Sequence, residues 1–258
     1  MPTILYQSPI FGPVKSRRLG VSLGINLMPA DGKICSFDCI YCECGRNSTH
    51  RTNKRRPTRE EVRVALSSRL EKMKSEGPEP NVLTFAGNGE PTLHPDFPAI
   101  VDDVIALRDR FFPDAKVSVL SNATRLSDPE VFKALLKVDN NIQKLDTVDP
   151  EYIRLLNCPA GNYNVESVID ALCEFKGHVI IQTIFLSGTL DGRDMDNTAD
   201  HYVLPWIEAL KRIAPSMVMI YTIDRETPVS TLRKASRESL NRISSLLEQN
   251  GLIAQVSY

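Results

Sequence analysis

Short apolar runs alternate with longer amphipathic ones along nearly the whole chain. The runs at 20–27, 82–86, 116–120, 142–145, 179–186 and 217–221 are close to continuous, the pattern of strands buried on both faces. Between them the spacing turns helical. After Pro57, Thr58-Arg-Glu-Glu61 has the form of a capping box, and Val62, Leu66, Leu70 and Met73 repeat at helical intervals until Gly77 and Pro78. Pro95 opens a second helix through Ile100, Val101, Val104, Ile105 and Leu107, and Ser127-Asp-Pro opens a third through Val131, Leu135 and Leu136. Residues 165–175, 199–213 and 236–250 complete the helices, the last stopped by Gly251.

Strands separated by helix-sized connections pair in parallel, with right-handed crossovers. The expected fold is therefore α/β: one domain over residues 1–258, an open barrel of six β/α units with helices outside. Residues 252–257 are a candidate terminal strand. Ligands of such barrels collect at the carboxyl ends of the strands. The connection at 29–57 leaves one of those ends and is longer than a plain turn, which marks it as functional.

Composition sets limits. The 258 residues are 42% hydrophobic and 24% charged, an ordinary globular balance. No apolar run approaches the roughly 20 residues that span a bilayer. A formal charge of -1 excludes a polycation that coats nucleic acid through bulk charge. Locally, residues 46–56 hold five permanent cations and His50 with no acid, and Lys15-Ser-Arg-Arg18 is a second basic knot. An anionic substrate and a solvated surface loop both account for them.

The chemistry-bearing feature is Cys35-Ser-Phe-Asp-Cys39-Ile-Tyr-Cys42, three thiols within eight residues of the long connection. A cubane iron-sulfur cluster normally takes four protein ligands, one per iron, so three thiolates leave one iron open. A zinc site completed by Cys44 or His50 is the alternative, although zinc ribbons usually show two separated cysteine pairs. Six cysteines are sparse for a disulfide framework, Cys158 and Cys173 lie far from the cluster, and no secretory signal precedes them. A cytoplasmic location is expected.

The spacing C-x3-C-x2-C, with Tyr41 before the last cysteine, resembles the signature of the radical S-adenosylmethionine (SAM) superfamily. The run Gly87-Asn88-Gly89-Glu90-Pro91-Thr92, at the end of the second strand, resembles that family's Gly-Gly-Glu motif with Asn88 inserted between the glycines. The resemblance implies a partial (β/α)6 barrel, a 4Fe-4S cluster on Cys35, Cys39 and Cys42, and SAM on the open iron. It implies that Gly87, Asn88, Gly89, Glu90 and Pro91 hold the SAM amino group. It also implies reductive cleavage of SAM to a 5'-deoxyadenosyl radical that takes hydrogen from a substrate, with a flavodoxin or ferredoxin as reductant.

Later strand ends carry Ser121, Asn122 and Lys144, and the fifth strand carries Gln182; these are the further expected SAM contacts, a backbone-bonded Gln182 being the plain alternative. The last strand ends Tyr221-Thr-Ile-Asp224-Arg225, and Tyr221, Asp224 and Arg225 suit a substrate side. The run Ser-Arg-Arg-Leu-Gly-Val-Ser-Leu-Gly-Ile-Asn before the cysteines, with Lys-Leu-Asp and Tyr-Thr-Ile-Asp-Arg after them, is similar to wybutosine-synthesising enzymes, which act on a guanosine in transfer RNA. That implies a tRNA or another nucleotide-bearing substrate. Two rivals stay open: an activase that places a glycyl radical on a protein partner, and a non-catalytic zinc or iron-sulfur module that binds RNA.

Overall fold

The computed structural model describes residues 4–16 and 19–258, so Arg17 and Arg18 of the second basic knot lie outside the described residues. The chain runs β1 (Ile10–Ser16), β2 (Gly20–Ile25), α1 (Arg59–Glu76), β3 (Val82–Phe85), α2 (Phe97–Phe111), β4 (Lys116–Ser121), α3 (Pro129–Leu135) and β5 (Asn140–Lys144). It continues with α4 (Pro150–Leu156), α5 (Val165–Cys173), β6 (Ile180–Leu190), β7 (Arg193–Asp194), α6 (Asp200–Ile213), β8 (Met217–Thr222), β9 (Leu232–Lys234), α7 (Arg237–Gln249) and β10 (Ala254–Ser257).

The sheet order is β1-β2-β3-β4-β5-β6-β8-β10. All neighbours from β2 onward are parallel. The candidate terminal strand is β10, seated beside β8. The open, curled α/β sheet with outer helices is the fold expected from the sequence. Three parts were not expected: the edge strand β1, antiparallel to β2; helix α4; and an extension of β6 that pairs with β7 and β9. β1 carries Gly12 and Pro13 and shows a register shift between Phe11 and Val14, so its sequence has no clean period of two.

Helix ends follow the local chemistry. Thr58 accepts from the Glu61 amide while Glu61 accepts from the Thr58 amide, closing the capping box of α1. Asp128 and Asp149 cap α3 and α4 with Pro at the first turn, where no amide donor is missed.

The alternation along each strand decides where the cavity lies. Leu23 and Ile25, Leu83 and Phe85, and Val117 and Val119 belong to the core that joins the sheet to the outer helices. Their neighbours Ser22, Gly24, Thr84, Ala86 and Leu120 line the inside of the barrel. The strands are buried on both faces, and on β2 and β3 the inner face is small and largely polar. Ile142, Ile180 and Met219 form a separate apolar cluster with Leu19, Leu120 and Met217. Above it a cavity of about 520 Å³ opens toward the carboxyl ends of the strands.

Candidate active site

The loop between β2 and α1 carries the three cysteines, and two sets of backbone bonds hold it. On one side Ile34 bridges Gly89: the Ile34 amide donates to the Asn88 carbonyl at 3.0 Å and the Glu90 amide to the Ile34 carbonyl at 3.0 Å. On the other, the Asp38 and Ile40 amides donate to Asn157 and Leu156, and the Ala160 amide to Ser36. Cys35, Cys39 and Cys42 are thereby brought to the wall of one cavity together with Gly87, Gly89 and Glu90.

All six cysteines are free thiols. Burial pushes Cys35 well up and Cys39 up to about 11. Cys42 is drawn below the usual thiol range by a hydrogen bond with Cys44, and the Lys33 ammonium adds to this against the cost of burial. Neutral amide donors also reach the sulfurs: Asn122 Nδ2 lies 3.6 Å from Cys35 Sγ and Asn157 Nδ2 lies 3.5 Å from Cys39 Sγ. Among the described residues, no three Cys, His, Asp or Glu side chains converge closely enough for a single metal ion. A cluster that spreads three thiolates over three irons fits this wider donor set better than one tetrahedral zinc does.

The glycine loop is shaped by contact with its surroundings. Gly89 has φ +134, and a Cβ there would lie 1.8 Å from the Ile34 carbonyl oxygen. Gly87 has φ +127 and meets the Asn26 side chain. Glu90 is buried, which pushes its carboxyl up, and both oxygens are engaged: Oε1 accepts from the Thr92 amide and hydroxyl, Oε2 from the Asn122 amide at 2.7 Å. The carboxylate thus ties the ends of β3 and β4 together. Asn88 is turned elsewhere. Its side chain bonds Tyr6 N, Tyr6 O and Pro29 O, and neither it nor Pro91 lines the cavity.

Tyr41, Ser121, Asn122, Lys144, Gln182, Tyr221, Asp224 and Arg225 all line it. Asp146, at the end of β5, organises the far wall: it accepts from the Tyr41 hydroxyl, from Asn157 Nδ2 at 2.8 Å and from the Ile184 amide at 3.1 Å. Lys144 Nζ sits 3.8 Å from Asp146 Oδ1 and 3.3 Å from the Tyr221 oxygen, with its charge over the Tyr41 and Tyr221 rings. Burial alone would lower the Lys144 pKa, but Asp146, Tyr221 and Cys39 outweigh it and keep the ammonium charged. Gln182 Nε2 reaches the same Tyr221 oxygen at 3.3 Å.

Asp146→Ala is expected to lower stability by about 3–5 kcal/mol, because it strands the Lys144 charge in the barrel and frees three buried donors. Urea unfolding measures it; a loss below about 1 kcal/mol would show that Lys144 needs no carboxylate.

At the mouth, Arg225 Nη1 donates to Glu43 at 2.9 Å and to the Tyr6 hydroxyl at 3.1 Å, joining the end of the barrel to the cysteine loop. The basic segment is partly neutralised: Arg46 faces Asp38 and Arg55 pairs with Glu61. Tyr6, Lys33, Glu43 and Asn157 carried no sequence signal as site residues. Asn157 reaches Cys39 across 118 positions.

A model of the Radical SAM superfamily matches residues 31–202. A UPF0026 protein of Methanocaldococcus jannaschii is 28% identical over 245 residues, covering 93% of this chain and 71% of the relative. A protein named GTPase Obg in Brachyspira hyodysenteriae is 27% identical over 93% of this chain, which spans 34% of that protein. Among solved structures, a radical SAM methyltransferase from Sphaerobacter thermophilus has TM-score 0.66 at 17% identity, covering 92% of this chain and 66% of that one. SuiB of Streptococcus suis bound to its precursor peptide SuiA gives 0.65 at 12% identity, with 91% of this chain but 48% of SuiB covered. An archaeal TYW1 gives 0.54 at 13% identity, with 89% and 72% covered. At these identities the structural likenesses show the fold.

No described helix is long and apolar enough to cross a membrane. Radical SAM enzymes use a 4Fe-4S cluster and SAM and need a reductant. The family model covers well over half of the chain, including the cysteine loop and the glycine loop that share the cavity, and the chain belongs to the Radical SAM superfamily of enzymes.

Proposed function

We propose that Cys35, Cys39 and Cys42 ligate the 4Fe-4S cluster and that SAM occupies the cavity beside it. The observation that carries this is the bridge between Ile34 and Gly89, which brings the cysteine loop and the glycine loop to one cavity wall. When bound, the cluster supplies one electron to the SAM sulfonium, releasing the 5'-deoxyadenosyl radical that takes hydrogen from the substrate.

In this reading the protein's residues position and shield. The backbone at Gly87 and Gly89 offers carbonyls to the SAM amino group, and Glu90 acts through its ties to Thr92 and Asn122. Lys144, held charged, and Asn122 suit the SAM carboxylate, Ser121 and Gln182 its ribose and adenosyl parts, and Tyr41 packs beside Lys144. Asn88 and Pro91 shape the loop instead of touching the ligand. Tyr221, Asp224 and Arg225 form the substrate side.

The substrate class we favour is a nucleotide-bearing molecule, tRNA first. The exposed cations Arg51 and Lys54 in the cluster loop, and the resemblance of Lys144-Leu-Asp146 and Tyr221-Thr-Ile-Asp-Arg225 to wybutosine-synthesising enzymes, support it. A flavodoxin or ferredoxin suits the role of reductant.

Anaerobically reconstituted protein should take up about four irons per chain and, with dithionite, convert SAM to 5'-deoxyadenosine. Tightly bound zinc with no iron uptake would overturn the reading. Transfer RNA affinity should fall steeply with salt and with Lys54→Ala, Arg55→Ala and Arg56→Ala combined. Binding without salt dependence would remove RNA as the substrate class.

A further inference from the structure

Lys33 stands two residues ahead of Cys35 with 1% of its side chain exposed. Its Nζ donates to the Gly45 carbonyl at 2.8 Å and to Asp38 Oδ1 at 3.3 Å. An ammonium has three protons, and these two acceptors account for two of them. Lys33 lines the same cavity as Cys35, Cys39 and Cys42.

A buried ammonium is costly unless opposite charge surrounds it. Asp38 alone is a poor match. Its side chain is 26% exposed, it already accepts from the Asn47 amide at 2.7 Å, and it also faces Arg46 at 3.9 Å. One carboxylate between two cations leaves a net positive charge in the cavity wall that also carries the three cysteines.

We propose that Lys33 is the internal counter-ion of the cluster and that its fixed charge, buried in the wall that carries the three cysteines, raises the cluster's reduction potential. The proposal rests on the ligand assignment above. Adding one electron makes the cluster and its thiolates more negative, so a nearby cation in a low-dielectric wall stabilises the reduced state more than the oxidised one. The lysine is held by the loop itself, so the tuning charge travels with the three ligands.

The test is a dithionite titration of the reconstituted full-length chain, followed by electron paramagnetic resonance, with iron content measured on every sample. Lys33→Met keeps the length and removes the charge. It should lower the equilibrium constant for reduction at least tenfold, which for a one-electron couple is a shift of about 59 mV to more negative potential. Asp38→Asn removes the opposing charge and keeps an acceptor for the Asn47 amide; it should shift the potential in the opposite, positive direction. Opposite signs from two neighbours in one network are not what simple loosening of the loop produces. Four irons with an unshifted or raised potential in Lys33→Met overturn this proposal alone, whereas a wild-type chain that takes up no iron overturns the ligand assignment and this proposal together. If Lys33→Met does not load iron, Asp38→Asn decides: a positive shift supports the counter-ion, and an unchanged or negative one overturns it.

Discussion

Replacing Cys39 by alanine is expected to leave the barrel folded while removing both iron loading and SAM cleavage. The side chain is buried in the cavity wall, with Asn157 Nδ2 3.5 Å from its sulfur. Its removal deletes one thiolate of three, so at least one further cluster iron is left without a protein ligand. The cost to the fold is small, on the order of 1 kcal/mol, since only a sulfur is lost. Iron content, cluster absorbance and 5'-deoxyadenosine formation should therefore collapse together while the far-ultraviolet circular dichroism stays unchanged. Cys173→Ala, on α5 near the Arg212 carbonyl, serves as the control and should retain all three. Cys44→Ala is the sharper comparison. Cys44 Sγ donates to the Gly87 carbonyl at 3.4 Å and lines the same cavity. Full iron loading in Cys39→Ala with none in Cys44→Ala would reassign the third ligand.

Gly89→Ala is expected to be nearly as damaging, through backbone alone. The new Cβ would sit 1.8 Å from the Ile34 carbonyl oxygen, and φ +134 is a conformation that side-chain-bearing residues rarely adopt. Escape requires breaking the Ile34–Gly89 bridge, with its two 3.0 Å hydrogen bonds. Strained backbone at about 1–3 kcal/mol and two lost bonds at about 1 kcal/mol each give a penalty of roughly 3–5 kcal/mol. That penalty falls on the backbone junction between the cysteine loop and the glycine loop. Iron uptake should drop at least tenfold, with the helices still formed by circular dichroism. Gly161→Ala, where a Cβ meets nothing within 4 Å, should stay within about 0.5 kcal/mol of the parent. Normal iron loading in Gly89→Ala would mean that the bridge does not govern the site.

The parallel sheet was legible because most of its strands are short apolar runs and the connections between them carry helical periods, some with a clear cap as at Thr58 and Asp128. The edge strand β1 was not, since a bulged edge with Gly12 and Pro13 has no period to read. Helix α4 begins with the same Asp-Pro start as α3, at Asp149 and Pro150, so its signal was present in the sequence although it was not among the expected helices. The cysteines and the glycine run were visible as local motifs. The task of Asn88 was not: its amide holds Tyr6 and Pro29, partners far away in sequence that only the fold brings near.

The sequence by itself determined the order of strands and helices, the parallel sheet and the three-cysteine motif, because each depends on spacing within a short stretch. Only the tertiary structure decided how the thiols are surrounded: the Ile34–Gly89 junction, Asn157 against Cys39, Asp146 beneath Lys144 and Tyr41, and Arg225 across the mouth. Except for Lys144 and its near neighbour Asp146, these pairings join residues tens to hundreds of positions apart. Their energies come from burial and hydrogen-bond geometry, which no local pattern in the chain encodes.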